Sequence, residues 1–294
     1  MKPVCKKQLQ DWQIDYFDLY IIHFPIALKY VDPSVRYPPG FFDENNKLSL
    51  SKAPLEETYH AMEELYNEGL IKAIGISNYN GSLILDVERY AKIMPQALQI
   101  EHHPYLVQKD LLDLCASRNI AVTAYSSFGP QSFLELNMQK AKDTPLLFDH
   151  QTVKTIADKH NKSPAQVLLR WATQRGVAVI PKSNNQGRLA ANLDVCSFNL
   201  DDKEIEAISG LDQGLRFNNP LNVSELDAVL DFGLGSLMLT FDVVWCCCAD
   251  LRISTRSVDG GRFAEQICDA VGYRHKQPLC PERRQLECAF RQYH

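Results

Sequence analysis

Five short stretches of this chain end an apolar run with residues able to hold a ligand by shape and hydrogen bonding. They are His23 with Phe24, Ser77 with Asn78, Gln99 with Glu101, Tyr125 with Ser126, and Lys182 with Ser183, Asn184 and the nearby Arg188. The hydroxyls and carboxamides of Ser, Asn and Gln can pair, donor to acceptor, with an amide on a ligand. A flat aromatic ring can stack on Tyr125, for about 0.5–1.5 kcal/mol beyond area burial. Lys182 and Arg188 flank the start of a short helical segment, a place suited to a phosphate. Together these groups describe a pocket for a nicotinamide ring and an adenylate phosphate. It would be built without a glycine-rich loop, since no GxGxxG follows any of the strands.

Taken singly, each group has an ordinary reading. A Lys after a strand is usually a solvated charge. Ser77-Asn78 alone reads as a helix cap before Ser82, and Tyr125 alone as core. His102-His103 could suggest a metal, but adjacent strand residues point to opposite faces and no third ligand is spaced for one, so no metal site is expected. The information lies in the joint occurrence at successive strand ends.

The elements that position these residues follow from periodicity. Residues 15–25 (DYFDLYIIHFP) hold an apolar run too short for a helix and rich in aromatic and β-branched types. This reads as a strand covered on both faces, with His23 at its carboxyl end and Pro25 stopping the pairing. A helix end over 6–12 precedes it, and a long loop over 26–53, proline-rich and aromatic, follows it. Apolar spacing at Leu55, Tyr59, Met62 and Leu65 predicts a helix over 54–69 with Gly69 as its C-terminal cap. Further strands are expected over 71–77, 98–102, 120–125 and 177–181. Helices are expected over 82–93, 108–118, 150–160, 164–175 and 201–209. Ser163, Pro164 and Gln166 make a capping box, and Asp201 with Glu204 repeats the logic. Five strand-helix units in strict alternation imply an α/β fold with a parallel sheet and right-handed crossovers. They suit a doubly wound sheet or the later part of an eight-stranded barrel, where chemistry sits at the carboxyl ends of the strands.

Composition bounds the partners. The 294 residues are 45% hydrophobic and 23% charged, with a net charge of -5, which offers no footprint for nucleic acid. The opening residues contain no apolar leader, so the cytoplasm is the expected compartment. Cys5, Cys115 and Cys196 are scattered like free thiols, whereas the other six cysteines all lie beyond residue 240 in a spacing that fits neither a zinc site nor a disulfide framework.

At the level of motifs, DLYIIHFPIA, GLIKAIGISNY, LQIEHHPYL, TAYSSFGPQSF, GVAVIPKSN and LDQGLRFN resemble, in order, the aldo-keto reductases, with YPPGFF, EHHPYL and YSSFGPQSF most similar to the xylose (aldose) reductase branch. The resemblance runs from the first residues to about residue 219. It implies a TIM (β/α)8 barrel, here partial, that uses NADPH, with NADH as the alternative, to reduce an aldehyde or aldose such as D-xylose. By position, His23 resembles the histidine that orients the substrate carbonyl. Ser77, Asn78 and Gln99 resemble a carboxamide clamp, and Tyr125 the ring stacked on nicotinamide. Ser126 and Phe128 resemble the pyrophosphate and sugar-pocket loop. Lys182, Ser183, Asn184 and Arg188 resemble contacts to the 2'-phosphate and ribose, with Asn192 near adenine. Phe24, Phe128 and Asn218 resemble substrate-pocket positions.

Two departures accompany the resemblance. The family opens with three more strand-helix units carrying an Asp, an acid Tyr and a Lys, which this sequence does not contain. Residues 1–220 are therefore expected to form an incomplete barrel of five strands with a gap beside His23, an impaired reductase or an inactive NADPH-binding protein. From Leu221 onward an atypical tail, 221–294, replaces the short aromatic close of the family. It is expected to be poorly ordered or an artefact of gene prediction, with 238–244 as a segment that could partly fill the gap. Residues 226–248 are apolar, but Asp227, Asp231 and Asp242 argue against a membrane span. A small-molecule substrate and a homodimer are the partners this reading admits.

Overall fold

The computed structural model describes residues 1–32 and 49–219, so the loop core and the tail expected to be atypical lie outside the described residues. In chain order, helix α1 (Lys2–Trp12) leads to strand β1 (Tyr20–Ile22), α2 (Leu55–Asn67), β2 (Ile74–Ser77), α3 (Gly81–Tyr90), β3 (Ala97–Glu101), α4 (Lys109–Ser117) and β4 (Ala121–Tyr125). A 3-10 segment (Gly129–Leu136), α5 (Gln139–Asp143), a second 3-10 turn (Leu147–Asp149), α6 (Gln151–His160) and α7 (Pro164–Gln174) come next. Strand β5 (Val177–Val179), α8 (Gln186–Leu193), a third 3-10 turn (Asp194–Cys196) and α9 (Asp202–Ser209) follow.

All the pairings between these five strands are parallel and the spatial order is β1-β2-β3-β4-β5, each strand beside its predecessor in sequence. This sequential parallel order is that of a barrel wall; a doubly wound sheet reverses direction at a switch point. The described residues thus form a partial (β/α) barrel with β1 and β5 at its edges. Because every strand runs the same way, all five carboxyl ends lie on one rim.

Burial explains the local choices. Tyr59, Met62 and Leu65 of α2 are fully buried, and they join Ile74, Ile76, Ile84, Val87, Leu98 and Ile100 in one continuous core. Gly69, at φ 74, ends α2: Gly69 N–H donates to the Tyr66 carbonyl and Leu70 N–H to the Leu65 carbonyl, closing a turn that a Cβ would strain. The Ser163–Gln166 and Asp201–Glu204 capping boxes both form as the spacing predicts.

Several boundaries differ from the periodicity. The strand expected over 15–25 pairs regularly only over Tyr20–Ile22, with Phe17 making one isolated bridge to Ile71. Its partner β2 stops at Ser77 because Asn78 turns at φ 62, and the His23 carbonyl is taken by the Asn78 side chain, Nδ2 to O 2.9 Å, instead of a ladder N–H. The helix expected over 82–93 starts at Gly81 under an Asn80 cap and ends at Tyr90. There the buried Glu63, from α2, accepts from the Lys92 and Ile93 N–H groups at 2.6 and 2.9 Å, so the chain leaves the helix with its donors satisfied. Ser77-Asn78 is no cap, since Asn80 supplies it. The 3-10 segment and α5, between β4 and α6, carry no sequence periodicity long enough to foresee.

Candidate active site on the strand rim

The rim is organised around Tyr125, the last residue of β4. Its ring is held from both sides by its hydroxyl, which donates to Asn78 Oδ1 at 2.6 Å and accepts from Asn218 Nδ2 at 3.0 Å. Burial raises the Tyr125 pKa well above its ordinary value and the nearby Glu101 charge raises it further, so the hydroxyl stays protonated and able to donate. Asn78 extends the chain of contacts. Its Nδ2 donates to the His23 carbonyl at 2.9 Å and to Ser77 Oγ at 3.2 Å, and Ser77 Oγ donates in turn to the Gln99 carbonyl at 2.9 Å. His23, Ser77, Asn78, Gln99, Tyr125 and Asn218, from four strand ends and a distant loop, are therefore one connected cluster.

The strained backbone at Asn78 makes the network possible. At φ 62 its side chain lies over the rim and its own N–H donates to the Gln99 carbonyl at 2.9 Å. An Asn is among the few side chains that tolerate this region. His23 follows β1 with its ring stacked on Phe24 at 4.4 Å between centroids. Desolvation lowers its pKa to about 4, so the imidazole is neutral near pH 7 and offers one N–H and one lone pair.

A second group sits at the end of β5, the strand beside β4. Arg188 Nε donates to Ser183 Oγ at 3.2 Å, and Asn185 caps α8 by accepting from the Arg188 N–H at 3.0 Å. Lys182 pairs with Glu135 at 3.5 Å, both largely exposed. Asn184 is exposed and Asn192 half-buried on α8. Phe128 packs at 5.2 Å against Phe148 and so shapes the loop after β4, while Ser126 (φ 54) turns the chain into the 3-10 segment, its carbonyl accepting from Gly129 N–H at 2.9 Å.

Two unpaired polar groups test whether this rim fits a nicotinamide cofactor. The Gln99 side-chain amide, on a residue 8% exposed, has no hydrogen bond among the described residues. Ser127 Oγ, buried in the loop after β4, has none either. A donor–acceptor amide at Gln99, on the strand paired with the one that ends at the fixed Tyr125 ring, matches the chemistry of the carboxamide and flat ring of nicotinamide. The residues fit the cofactor.

The sequence reading missed Ser127, and although it placed Glu101 at a strand end it gave that residue no role. This carboxylate is fully buried yet fully engaged: Oε1 accepts from Phe217 N–H at 2.8 Å and lies 2.9 Å from His103 Nε2, and Oε2 accepts from Asn218 N–H at 2.7 Å. An acidic residue inside an apolar strand was the available signal, since a buried charge requires partners. His102 and His103 point to opposite sides, as their adjacency implies: His102 stacks on Trp171 at 4.9 Å, and His103 joins Glu101. Among the described residues no group of three or more His, Cys, Asp or Glu is arranged to hold a metal, and no helix is long and apolar enough to cross a membrane.

Comparison with known proteins gives three concordant findings. The pattern of the aldo/keto reductase family matches residues 2–213. The NAD(P)H-dependent D-xylose reductase of Aspergillus niger is 62% identical over 221 residues, covering 75% of this chain and 69% of that protein. Among solved structures, the aldose reductase of Schistosoma japonicum superposes with a TM-score of 0.65 at 33% identity, covering 76% of this chain and 67% of that one.

Proposed function

The chain belongs to the aldo/keto reductase family and is accordingly an oxidoreductase dependent on NAD(P)H, and from that premise we propose that its strand rim binds NADPH and reduces an aldose such as D-xylose to the alcohol. The observation that carries this reading is the Tyr125 cluster, in which one aromatic ring is fixed by Asn78 and Asn218 at the end of β4, with the Gln99 amide on the adjoining β3. Ser77, Asn78 and Gln99 are the residues assigned to the carboxamide and Tyr125 to the nicotinamide ring. Ser126, Ser127 and Phe128 are assigned to the pyrophosphate loop. Lys182, Ser183, Asn184 and Arg188 take the 2'-phosphate and ribose, with Asn192 beside adenine. When bound, NADPH supplies the hydride that adds to the carbonyl carbon.

The substrate side is assigned to His23, Phe24, Phe128 and Asn218. With a pKa of about 4, His23 is neutral at pH 7, so its N–H orients and polarises a carbonyl oxygen without acting as a strong acid. Tyr125 holds its proton more tightly than a free phenol and shares its hydroxyl between two carboxamides, which makes it a poor proton donor. Neither titratable side chain of the Tyr125 cluster is thus poised to protonate the forming alkoxide, and without a general acid the rate falls by about 10²–10⁴-fold. The reading is therefore a cofactor-binding oxidoreductase with slow turnover, in the cytoplasm. The alternative, an NADPH-binding protein with no turnover, rests on this same pair of protonation states.

One experiment tests the reading: titration of the purified chain with NADPH, followed by protein fluorescence quenching, beside an assay of D-xylose reduction. Saturable quenching with slow xylose-dependent NADPH oxidation is expected. Quenching with no turnover selects the alternative, and no quenching at all overturns both.

A further inference from the structure

The Glu101 carboxylate ties a loop more than a hundred residues away to the centre of the rim. Both its oxygens are spent on consecutive backbone donors, Phe217 N–H at 2.8 Å and Asn218 N–H at 2.7 Å. Around this anchor the segment is held at neighbouring points. Gln108 Nε2 donates to the Glu101 carbonyl at 2.7 Å while its Oε1 accepts from Arg216 at 2.7 Å. Lys140 donates to the Arg216 carbonyl at 2.6 Å, and the Tyr105 carbonyl accepts from Gln213 and Leu215 N–H. Phe217 is fully buried between Phe133, at 5.2 Å, and His103, at 5.7 Å.

A clamp of this kind could serve stability alone. What singles out Glu101 is where its second oxygen leads. Fixing Asn218 N–H fixes the Asn218 Cα, and from there Nδ2 reaches Tyr125 OH at 3.0 Å. Tyr125 in turn directs its proton to Asn78 Oδ1 at 2.6 Å, and Asn78 Nδ2 reaches the His23 carbonyl at 2.9 Å. Charge-assisted hydrogen bonds to a fully buried carboxylate are short and directional, so the first link transmits position with little slack, and the half-buried bonds that follow carry it to Tyr125 and Asn78. We propose that Glu101 is a positioning residue: through Asn218 it fixes the Tyr125 ring and so sets the platform on which the nicotinamide lies. The inference rests on the proposed NADPH site and adds to it a residue that touches neither cofactor nor substrate.

The test is a double-mutant cycle on NADPH affinity, read by fluorescence quenching of the full chain, with Glu101→Gln, Asn218→Ala and the two combined. A Gln has one acceptor oxygen for two donors and turns an N–H pair toward a backbone N–H, so it breaks the clamp while keeping the shape. Asn218→Ala keeps the backbone N–H and hence the Glu101 contacts, so it tests the same path even if Glu101→Gln does not fold. Each single change is expected to weaken NADPH binding about tenfold, and the double variant to bind within about twofold of Asn218→Ala, because both act on one path. Amide hydrogen exchange at Phe217 and Asn218, measured without cofactor, is expected to speed up at least tenfold in Glu101→Gln and to stay unchanged in Asn218→Ala. Multiplicative losses in the double variant, or either folded single variant binding like wild type, would overturn the Glu101 assignment alone. A wild-type chain that does not quench with NADPH overturns the cofactor site and, with it, what Glu101 positions.

Discussion

Acid should destabilise this protein through a histidine outside the rim chemistry. His102 is fully buried, its ring stacked on Trp171 at 4.9 Å and its Nε2 3.2 Å from Arg175 Nη1. Desolvation first, then the Arg175 charge, lowers its pKa from 6.5 to about 3. The folded state therefore binds fewer protons than the unfolded state between these values, and stability rises with pH across that window. Read downward, stability is complete above pH 6.5 and is lost progressively as the pH falls toward 3. One-proton linkage with these two values gives a loss of about 2 kcal/mol between pH 7 and pH 5 from His102 alone. His23, lowered to about 4 by desolvation, acts with the same sign in the same window. His60 opposes them, because its hydrogen bond to Glu63 raises its pKa and its contribution is lost as pH rises. Urea unfolding at both pH values, for wild type and His102→Gln, isolates the effect because the other groups are common to both. The variant should be less stable at pH 7, having lost the Trp171 stack. Its further drop on going to pH 5 should be smaller than that of wild type by about 2 kcal/mol. Equal drops in the two proteins would refute the claim that His102 is buried uncharged.

Other outcomes follow from single contacts. Tyr125→Phe removes a hydroxyl bonded to Asn78 and Asn218 and should cost about 1–2 kcal/mol in urea unfolding, since two half-buried partners lose their mate. It keeps the ring, so Tyr125→Ala should bind NADPH a further two- to tenfold more weakly, in line with about 0.5–1.5 kcal/mol for stacking. Replacing Lys182 and Arg188 together with Ala should weaken NADPH at least about tenfold and leave NADH affinity nearly unchanged, because the charge-assisted contacts removed are those to the 2'-phosphate that NADH lacks; equal losses for both nucleotides would count against the phosphate assignment. Gly75→Ala would place a Cβ 2.8 Å from Ile21 Cγ1 and 3.2 Å from Leu19 Cδ1, and should lower stability by about 1–3 kcal/mol in the same unfolding assay, as β1 must move off β2.

Much of this architecture is written locally. Apolar runs rich in β-branched residues, helical spacing in between, the Ser163 and Asp201 capping boxes and the Gly69 turn depend on neighbours a few residues apart, so they can be read in order and they fix the parallel alternation. The same locality places His23, Ser77, Gln99 and Tyr125 near strand ends, and the motifs tie them to a family. What local pattern could not give is pairing across long sequence distance. The shortening of β1 to Tyr20–Ile22 follows from where β2 stops, and the end of α3 follows from Glu63 taking the N–H groups of Lys92 and Ile93. The grip on Tyr125 needs Asn78 and Asn218, 47 residues before it and 93 after it, and Glu101 reaches Asn218 across 117 residues. Hydrogen bonds and desolvation act through space, so only the folded chain decides which polar groups are satisfied, which stay free for a ligand, and which histidines lose their charge.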